Sequence, residues 1–203
     1  KGFLFLKDKS GVLFLGITTI MSDVAIWGAL SVLTITMSKE IFNKGSWGYG
    51  LMDGMYGFGA LISTIVVAII TKKFGRRKSL IWCYSIAGLC CFISPFSPTI
   101  YIAGIAYLFM GLLNNSARII VRTLFMEIIP NNIMGRVQTI FGVYTRVMML
   151  TSVLIAGWVT ENLNPHIGMN FASAHYLIAL IGIIVISKIS NFRKEIFKVK
   201  NHA

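Results

Sequence analysis

Charged residues are scarce in this sequence. They make up 13% of the 203 residues, whereas hydrophobic residues make up 56%. A soluble domain carries about 25% charged residues, so this chain has too few charges to cover a surface that faces water. The composition excludes a sizeable soluble domain and predicts an integral membrane protein.

Among the charged residues, acidic residues are much scarcer than basic ones. The chain has 7 Asp and Glu against 19 Lys and Arg, for a net charge of +12. Such a basic excess can mark a nucleic-acid-binding protein. Here, however, the basic residues lie in short clusters between long apolar runs, which is typical of a membrane protein. We therefore expect a lipid bilayer and no nucleic acid as a partner.

Residues of the usual catalytic and metal-binding types are also few. The three cysteines lie in one apolar run between Cys83 and Cys91, without paired ligand spacing, so we expect buried thiols. We expect His166, His175 and His202 to lie away from the middle of the membrane. The sequence has no paired-His metal motif, nucleophile elbow or phosphate-binding loop. It predicts neither an enzyme nor a bound metal or cofactor.

Long apolar runs are abundant instead. A membrane-spanning helix needs about 20 predominantly apolar residues. Together the runs predict an all-α membrane domain of six helices over residues 1–191, followed by a basic cytoplasmic tail over residues 192–203. We place the six helices near Val12–Met37, Tyr49–Ile70, Leu80–Ser94, Ile100–Met126, Val137–Val159 and Phe171–Ile189.

The connections between these helices alternate in charge. One set contains both chain ends, the Lys72–Lys78 cluster and Arg136, whereas the opposite set contains only Lys39 and Lys44. The positive-inside rule predicts that the first set, and hence both termini, is cytoplasmic, in a multi-pass protein of the plasma membrane. The tail Phe192–Lys200 alternates basic and apolar residues. It either lies along an anionic membrane surface or is a solvated flank.

Ionisable residues inside the predicted helices need a reason, because a charge at mid-bilayer is costly. Asp23 and Arg146 are both predicted near the middle, with opposite signs. They form either a structural ion pair or a group that couples protons or substrate. Arg118 and Arg122 lie one turn apart on the fourth helix. They either reach to the lipid headgroups, helped by Glu127, or form the basic wall of a cavity.

Polar and small residues add further candidates. Asn114 and Asn115 sit in a polar stretch of the fourth helix that cannot all face lipid, so at least one residue should face a cavity or another helix. Gly50 and Gly54 have the spacing that permits close helix packing. Trp27 offers a surface for substrate stacking, although such residues more commonly pack in a core.

One loop resembles a known family. Residues 68–80 read AIITKKFGRRKSL and resemble the loop between the second and third helices in each half of a major facilitator superfamily transporter. The family pattern runs roughly G-x-L-x-D-R-x-G-R-R/K. Gly75, Arg76 and Arg77 match it, whereas Lys72 stands where the family has Asp. The loop therefore resembles the more divergent copy found in second halves.

A second stretch resembles one branch of that superfamily. Residues 130–137 read PNNIMGRV, similar to the connection between the tenth and eleventh helices of macrolide-efflux and enterobactin exporters. The resemblance implies the carboxy-terminal half of a twelve-helix carrier, with substrate bound between the halves near the midplane. Because the chain starts at Lys1 without Met, we expect a piece of a longer protein whose amino-terminal six-helix half is the missing partner.

The resemblance also implies a function. We expect proton-coupled efflux of small amphipathic compounds, such as drugs or siderophores, by alternating access. The alternatives are an importer or facilitator of the same superfamily, and a non-transporting scaffold or degenerate half-transporter. The first and fourth helices would line the cavity. The implied cavity residues are Asp23, Trp27, Asn114, Asn115 and Arg118.

Overall fold

The computed structural model describes residues 2–197, without the side chains of residues 193–195. Lys1 and the predicted tail beyond residue 197 lie outside the described residues. Within the described range all regular structure is helical, as the sequence predicts. Five of the helices, α2 to α6, are long and apolar enough to cross a membrane. The helices are α1 Gly2–Asp8, α2 Ser10–Ile41, α3 Gly45–Ile93, α4 Ile100–Ile128, α5 Asn131–Asn162, α6 Pro165–Lys188 and α7 Ser190–Phe197.

The second and third predicted segments are the two arms of one helix, α3, which bends at Gly75. Gly75 has φ 75° and ψ 155°, a left-handed conformation that glycine adopts without a steric penalty. In a straight helix, Ile70 and Ser79 would lie about 13.5 Å apart along the axis. In this structure the Ser79 hydroxyl donates a hydrogen bond to the Ile70 carbonyl at 3.1 Å. The chain therefore changes direction sharply here, between arms of residues 45–74 and 76–93.

α2 is longer than predicted and is interrupted by two π-helical turns, at Ala25–Ala29 and Met37–Ile41. The first of these turns begins two residues after Asp23. It brings Gly28 so close to α5 that a methyl group there would lie 3.1 Å from the Ser152 Cβ. π turns are rare and often occur at functional sites, which directs attention to this part of α2.

The closest helix contact joins the first arm of α3 to α4, and it is not at the glycines that we predicted. A methyl group at Gly59 would collide with the Leu108 carbonyl oxygen, and one at Gly111 with the Tyr56 carbonyl oxygen. Gly50 and Gly54 instead face open space. The small-residue spacing of that pair is real, but it lies on the side of α3 that points away from α4.

The positively charged connections meet at one end of the bundle, which we call the basic end. Here Arg76, just after the bend in α3, binds Glu127 near the end of α4. At the same end, Leu6 of α1 packs in a cluster with Val137 of α5. The ring of Phe192 in α7 lies 6.1 Å from that of Phe14 in α2. The tail therefore begins as a helix folded back on the bundle.

Two helices are far less buried than the others. In the most apolar stretch of α3 and of α5, 17% of residues are buried, against 50–67% in α2, α4 and α6. Large apolar side chains form a stripe along the exposed side of α5, including Val143, Val147, Leu150 and Leu154. Such a continuous apolar surface must be covered by lipid or by protein.

Candidate functional site

The central feature of the bundle is an ion pair between α2 and α4. Arg118 Nε lies 3.7 Å from Asp23 Oδ1, and the two side chains are 33% and 24% exposed. That distance is too long for a hydrogen bond, and neither atom has a hydrogen-bond partner among the described residues. The two charges therefore balance each other while leaving a polar gap between them.

The pair lies deep within the bundle. At about 1.5 Å per residue, Asp23 is about 20 Å along α2 from Ser10, and Arg118 is about 15 Å along α4 from Ile128. Both helices start or end at the basic end. The pair is thus near half the depth of a hydrocarbon core that is about 30 Å thick.

A cavity of about 390 Å³ opens beside this pair and extends towards the basic end. This volume lies in the range of small-molecule sites. Its walls come from α2, the second arm of α3, α4 and α5, and the rings of Phe125 and Phe141 stack at 5.4 Å along one side. The polar residues that line it are Thr19, Ser22, Asp23, Tyr84, Arg118, Arg122, Gln138 and Thr145.

The structure pairs Asp23 with Arg118 and not with Arg146, the partner expected from depth alone. Thr145 lines the cavity. Arg146 follows it on α5, about 100° further round the helix, and its side chain is exposed. Similar depth did not bring the charges together, because the rotation of α5 turns Arg146 away from α2.

Arg122 lines the cavity one turn closer to the basic end than Arg118. Glu127, the carboxylate that we expected to assist it, is occupied elsewhere. The two terminal nitrogens of the Arg76 guanidinium donate to Glu127, Nη1 to Oε2 and Nη2 to Oε1, the latter at 2.7 Å. Arg77, the next residue of the loop motif, is exposed. Arg76 therefore ties the bend of α3 to α4, and Arg122 has no ion-pair partner among the described residues.

The two asparagines hold helices together and do not line the larger cavity. Asn114 is 1% exposed and donates to the Tyr56 hydroxyl at 3.2 Å. Asn115 donates to the Ala60 carbonyl and to the Ser63 hydroxyl, each at 3.2 Å. Both contacts reach the first arm of α3, so the polar stretch faces another helix, one of the two possibilities open from the sequence.

Trp27 lies at a second, smaller cavity of about 100 Å³ nearer the other end of the bundle. Its side chain is 55% exposed. Asp53 and three tyrosines, Tyr49, Tyr56 and Tyr107, share this cavity. Since Tyr56 also binds Asn114, which lies one turn from Arg118, a line of polar side chains connects the two cavities.

Sequence reasoning missed a buried polar contact near the middle of α6. His175 Nε2 lies 3.2 Å from the Ser152 hydroxyl, and His175 Nδ1 lies 2.9 Å from the Phe171 carbonyl. A carbonyl only accepts, so Nδ1 carries the proton and Nε2 accepts from Ser152. We expected His175 near a helix end because we started this helix at Phe171, whereas it starts at Pro165.

The comparisons with known proteins agree with the superfamily suggested by the loop motif. The sequence matches the model of the Major Facilitator Superfamily over residues 12–195. It is 26% identical over 155 residues to the D-xylose transporter of Levilactobacillus brevis. That alignment covers 76% of this chain and 31% of the transporter. This relative does not support the macrolide-efflux and enterobactin-exporter branch. The chain belongs to the major facilitator superfamily.

Proposed function

We propose that this chain is one half of a secondary active transporter that moves a small polar solute across the plasma membrane by alternating access. The open ion pair between Asp23 and Arg118, at the wall of a 390 Å³ cavity, carries this proposal. Charges are rare at this depth in membrane proteins, and those present commonly mark a substrate or ion pathway. A purely structural bundle has little use for such a cavity.

Six crossings and a missing second half are part of the proposal. The bend at Gly75 allows each arm of α3 to cross separately, which gives six crossings and places both termini on the side of the basic end. The sparsely buried sides of α3 and α5 offer a surface for a second half. The alignment covers 31% of the related transporter, which leaves room in that protein for such a half. Substrate would then bind between the two halves.

The lining favours a polar solute. Besides the three charged residues, the larger cavity presents the hydroxyl or amide groups of Thr19, Ser22, Gln138 and Thr145. Groups of this kind recognise hydroxyl-bearing ligands by hydrogen bonds. That the related protein is a D-xylose transporter agrees with this chemistry.

Proton-coupled efflux of amphipathic compounds is the second candidate. The smaller cavity favours this candidate, because Trp27 and Tyr107 line it together with Asp53. Their aromatic rings offer stacking surfaces for an apolar ligand near the Asp53 carboxylate. In either case Asp23 is the residue we propose for proton coupling, since it is the carboxylate of the larger cavity.

Flux measurements on the full-length protein in liposomes test the proposal. D-xylose and an amphipathic dye are supplied in turn, with and without a pH gradient. We expect saturable flux of the polar solute that Asp23→Asn abolishes and that Arg146→Gln, the matched exposed arginine, leaves intact. Dye flux alone would select the second candidate. A folded protein that moves neither class of solute in either direction would overturn both and support the scaffold.

A further inference from the structure

The larger cavity carries an excess positive charge. Of the residues that line it, three are charged: Asp23, Arg118 and Arg122. Asp23 faces Arg118, so these two contribute no net charge between them. Arg122 adds one guanidinium that no carboxylate of the described residues binds. The wall therefore has a net charge of about +1, and the Arg122 side chain is exposed where the cavity extends towards the basic end.

The carboxylate closest to Arg122 along α4 is committed to a different contact. The Glu127 carboxylate accepts hydrogen bonds from both terminal nitrogens of Arg76, a paired geometry that is specific for arginine and carboxylate. For Glu127 to neutralise Arg122, the link between the bend of α3 and α4 would first have to break. Arg122 is thus available to a ligand while that link holds.

The neighbouring hydroxyl groups are positioned to accept hydrogen bonds. The hydroxyls of Thr19 and Thr145 donate to the carbonyls of Leu15 and Phe141 on their own helices, at 2.6 Å and 2.7 Å. Each hydroxyl already donates its hydrogen bond to the backbone, and its oxygen lone pairs remain free to accept a hydrogen bond from a ligand. The open Asp23 carboxylate is a further acceptor. Ligand hydroxyl groups are the donors that this set requires.

From these two features we infer that the cavity selects a hydroxylated monocarboxylate, the class of the sugar acids, over a neutral polyol. The carboxylate would bind Arg122, and the hydroxyl groups would bind Asp23 and the threonines. One negative charge matches the excess of the wall. A neutral polyol leaves Arg122 unpaired, and an amine would bring a second cation to it. This inference deepens the proposed function and rests on it.

Arginine is suited to this task because its planar guanidinium binds a carboxylate through two parallel hydrogen bonds. Arg118 does not substitute for Arg122, since Asp23 already offsets its charge and would repel an incoming carboxylate. We therefore assign the preference for an anion to Arg122 and the anchoring of hydroxyl groups to the region around Asp23.

Binding to matched ligand pairs tests the inference on the full-length protein. The protein is kept in a neutral detergent without phospholipid, so that lipid phosphate cannot occupy Arg122. Calorimetry compares glycerate with glycerol, D-xylonate with xylitol, and D-gluconate with sorbitol, and includes glucamine as a cation. We expect at least one acid to bind about tenfold or more tightly than its neutral partner. Arg122→Gln should remove that preference.

Two further variants serve as controls. Arg146→Gln removes an exposed arginine outside the cavity and should keep the preference. Arg122→Lys keeps the charge but not the paired hydrogen bonds, so it should keep part of the preference. It also provides the test should Arg122→Gln not fold.

Three results with the unaltered protein would overturn the inference: equal affinity for acids and their neutral partners, higher affinity for glucamine, or no binding of any acid. An acid preference that remains in the Arg122→Gln variant would also overturn it. Failure of this inference can be told apart from failure of the proposed function, because D-xylose or dye flux in liposomes is measured independently of acid binding.

Discussion

Asp23 of α2 and Arg118 of α4 face each other with 3.7 Å between Oδ1 and Nε, and neither atom has a hydrogen-bond partner among the described residues. The pair links two of the helices that line the larger cavity. Its geometry combines charge balance with room for a ligand group. Either residue alone would leave an uncompensated charge beside an apolar helix core.

Removing one member of this pair should therefore cost more than removing both. For buried pairs the loss is about 3–5 kcal/mol, and we expect roughly 2 kcal/mol here because both side chains touch the cavity. Asp23→Asn and Arg118→Gln should each lower the thermal unfolding midpoint in detergent, and the double variant should recover most of it. Pairing Asp23→Asn with Arg146→Gln is the control. Strict additivity for Asp23 and Arg118 would show that they do not interact.

The Arg76–Glu127 contact should matter for transport, whereas Arg77 should not. Arg76→Gln breaks a paired hydrogen-bond contact between the bend of α3 and α4. We expect a stability loss of roughly 1 kcal/mol and a larger relative loss of flux. Arg77→Gln is the matched control. The reversed pair, Arg76→Glu with Glu127→Arg, should regain part of the flux. Equal effects at Arg76 and Arg77 would confine both to setting orientation in the membrane.

Glycine-to-alanine substitutions should separate the packed side of α3 from its free side. Gly59→Ala and Gly111→Ala each push a methyl group into a carbonyl oxygen of the facing helix, at a cost of roughly 1–3 kcal/mol. Gly50→Ala and Gly54→Ala enter open space and should be neutral or stabilising by up to about 1 kcal/mol. Thermal unfolding of the four variants measures this. A large loss at Gly50 or Gly54 in the full-length protein would show that another surface covers that side.

The Ser152–His175 contact should contribute to the packing of α5 on α6. Ser152→Ala leaves the buried Nε2 of His175 without its donor, a loss of roughly 1–3 kcal/mol. Ser173→Ala is the control, because the Ser173 hydroxyl bonds only within α6, to the Asn170 carbonyl. Differential scanning of the detergent-solubilised variants compares the two. Identical midpoints would assign Ser152 no role beyond filling space.

The predicted orientation can be checked with accessible tags. Cysteine or epitope tags placed in the Lys72–Lys78 loop, near Arg136 and after Ala203 should be protected in sealed cells, while tags near Lys44 should react. The physical reason is the bias of basic residues towards the cytoplasm. Reaction of the carboxy-terminal tag from outside would reverse the orientation or change the number of crossings.

The sequence by itself determined the membrane class, the all-α architecture and the superfamily. Apolar runs of spanning length leave few alternatives to helices in lipid, and the alternation of basic clusters groups the connections that the structure brings to one end. The sequence also placed a connection around Gly75, because Gly75, Arg76 and Arg77 match the loop motif of the family, and the structure bends α3 at this glycine. These features depend on local composition and chain order, which a single sequence contains.

Only the tertiary structure decided which side chains meet. Asp23 and Arg146 are alike in depth, but contact also depends on how each helix is rotated about its axis. Thr145 and Arg146 are consecutive residues of α5, yet Thr145 lines the cavity and Arg146 is exposed. In the same way, the rotation of α3 about its own axis put Gly59 and not Gly54 against α4. Helix rotation is set by the packing of all neighbours at once. A pattern along one chain fixes how deep a charge lies in the membrane, and the packed bundle fixes what it faces.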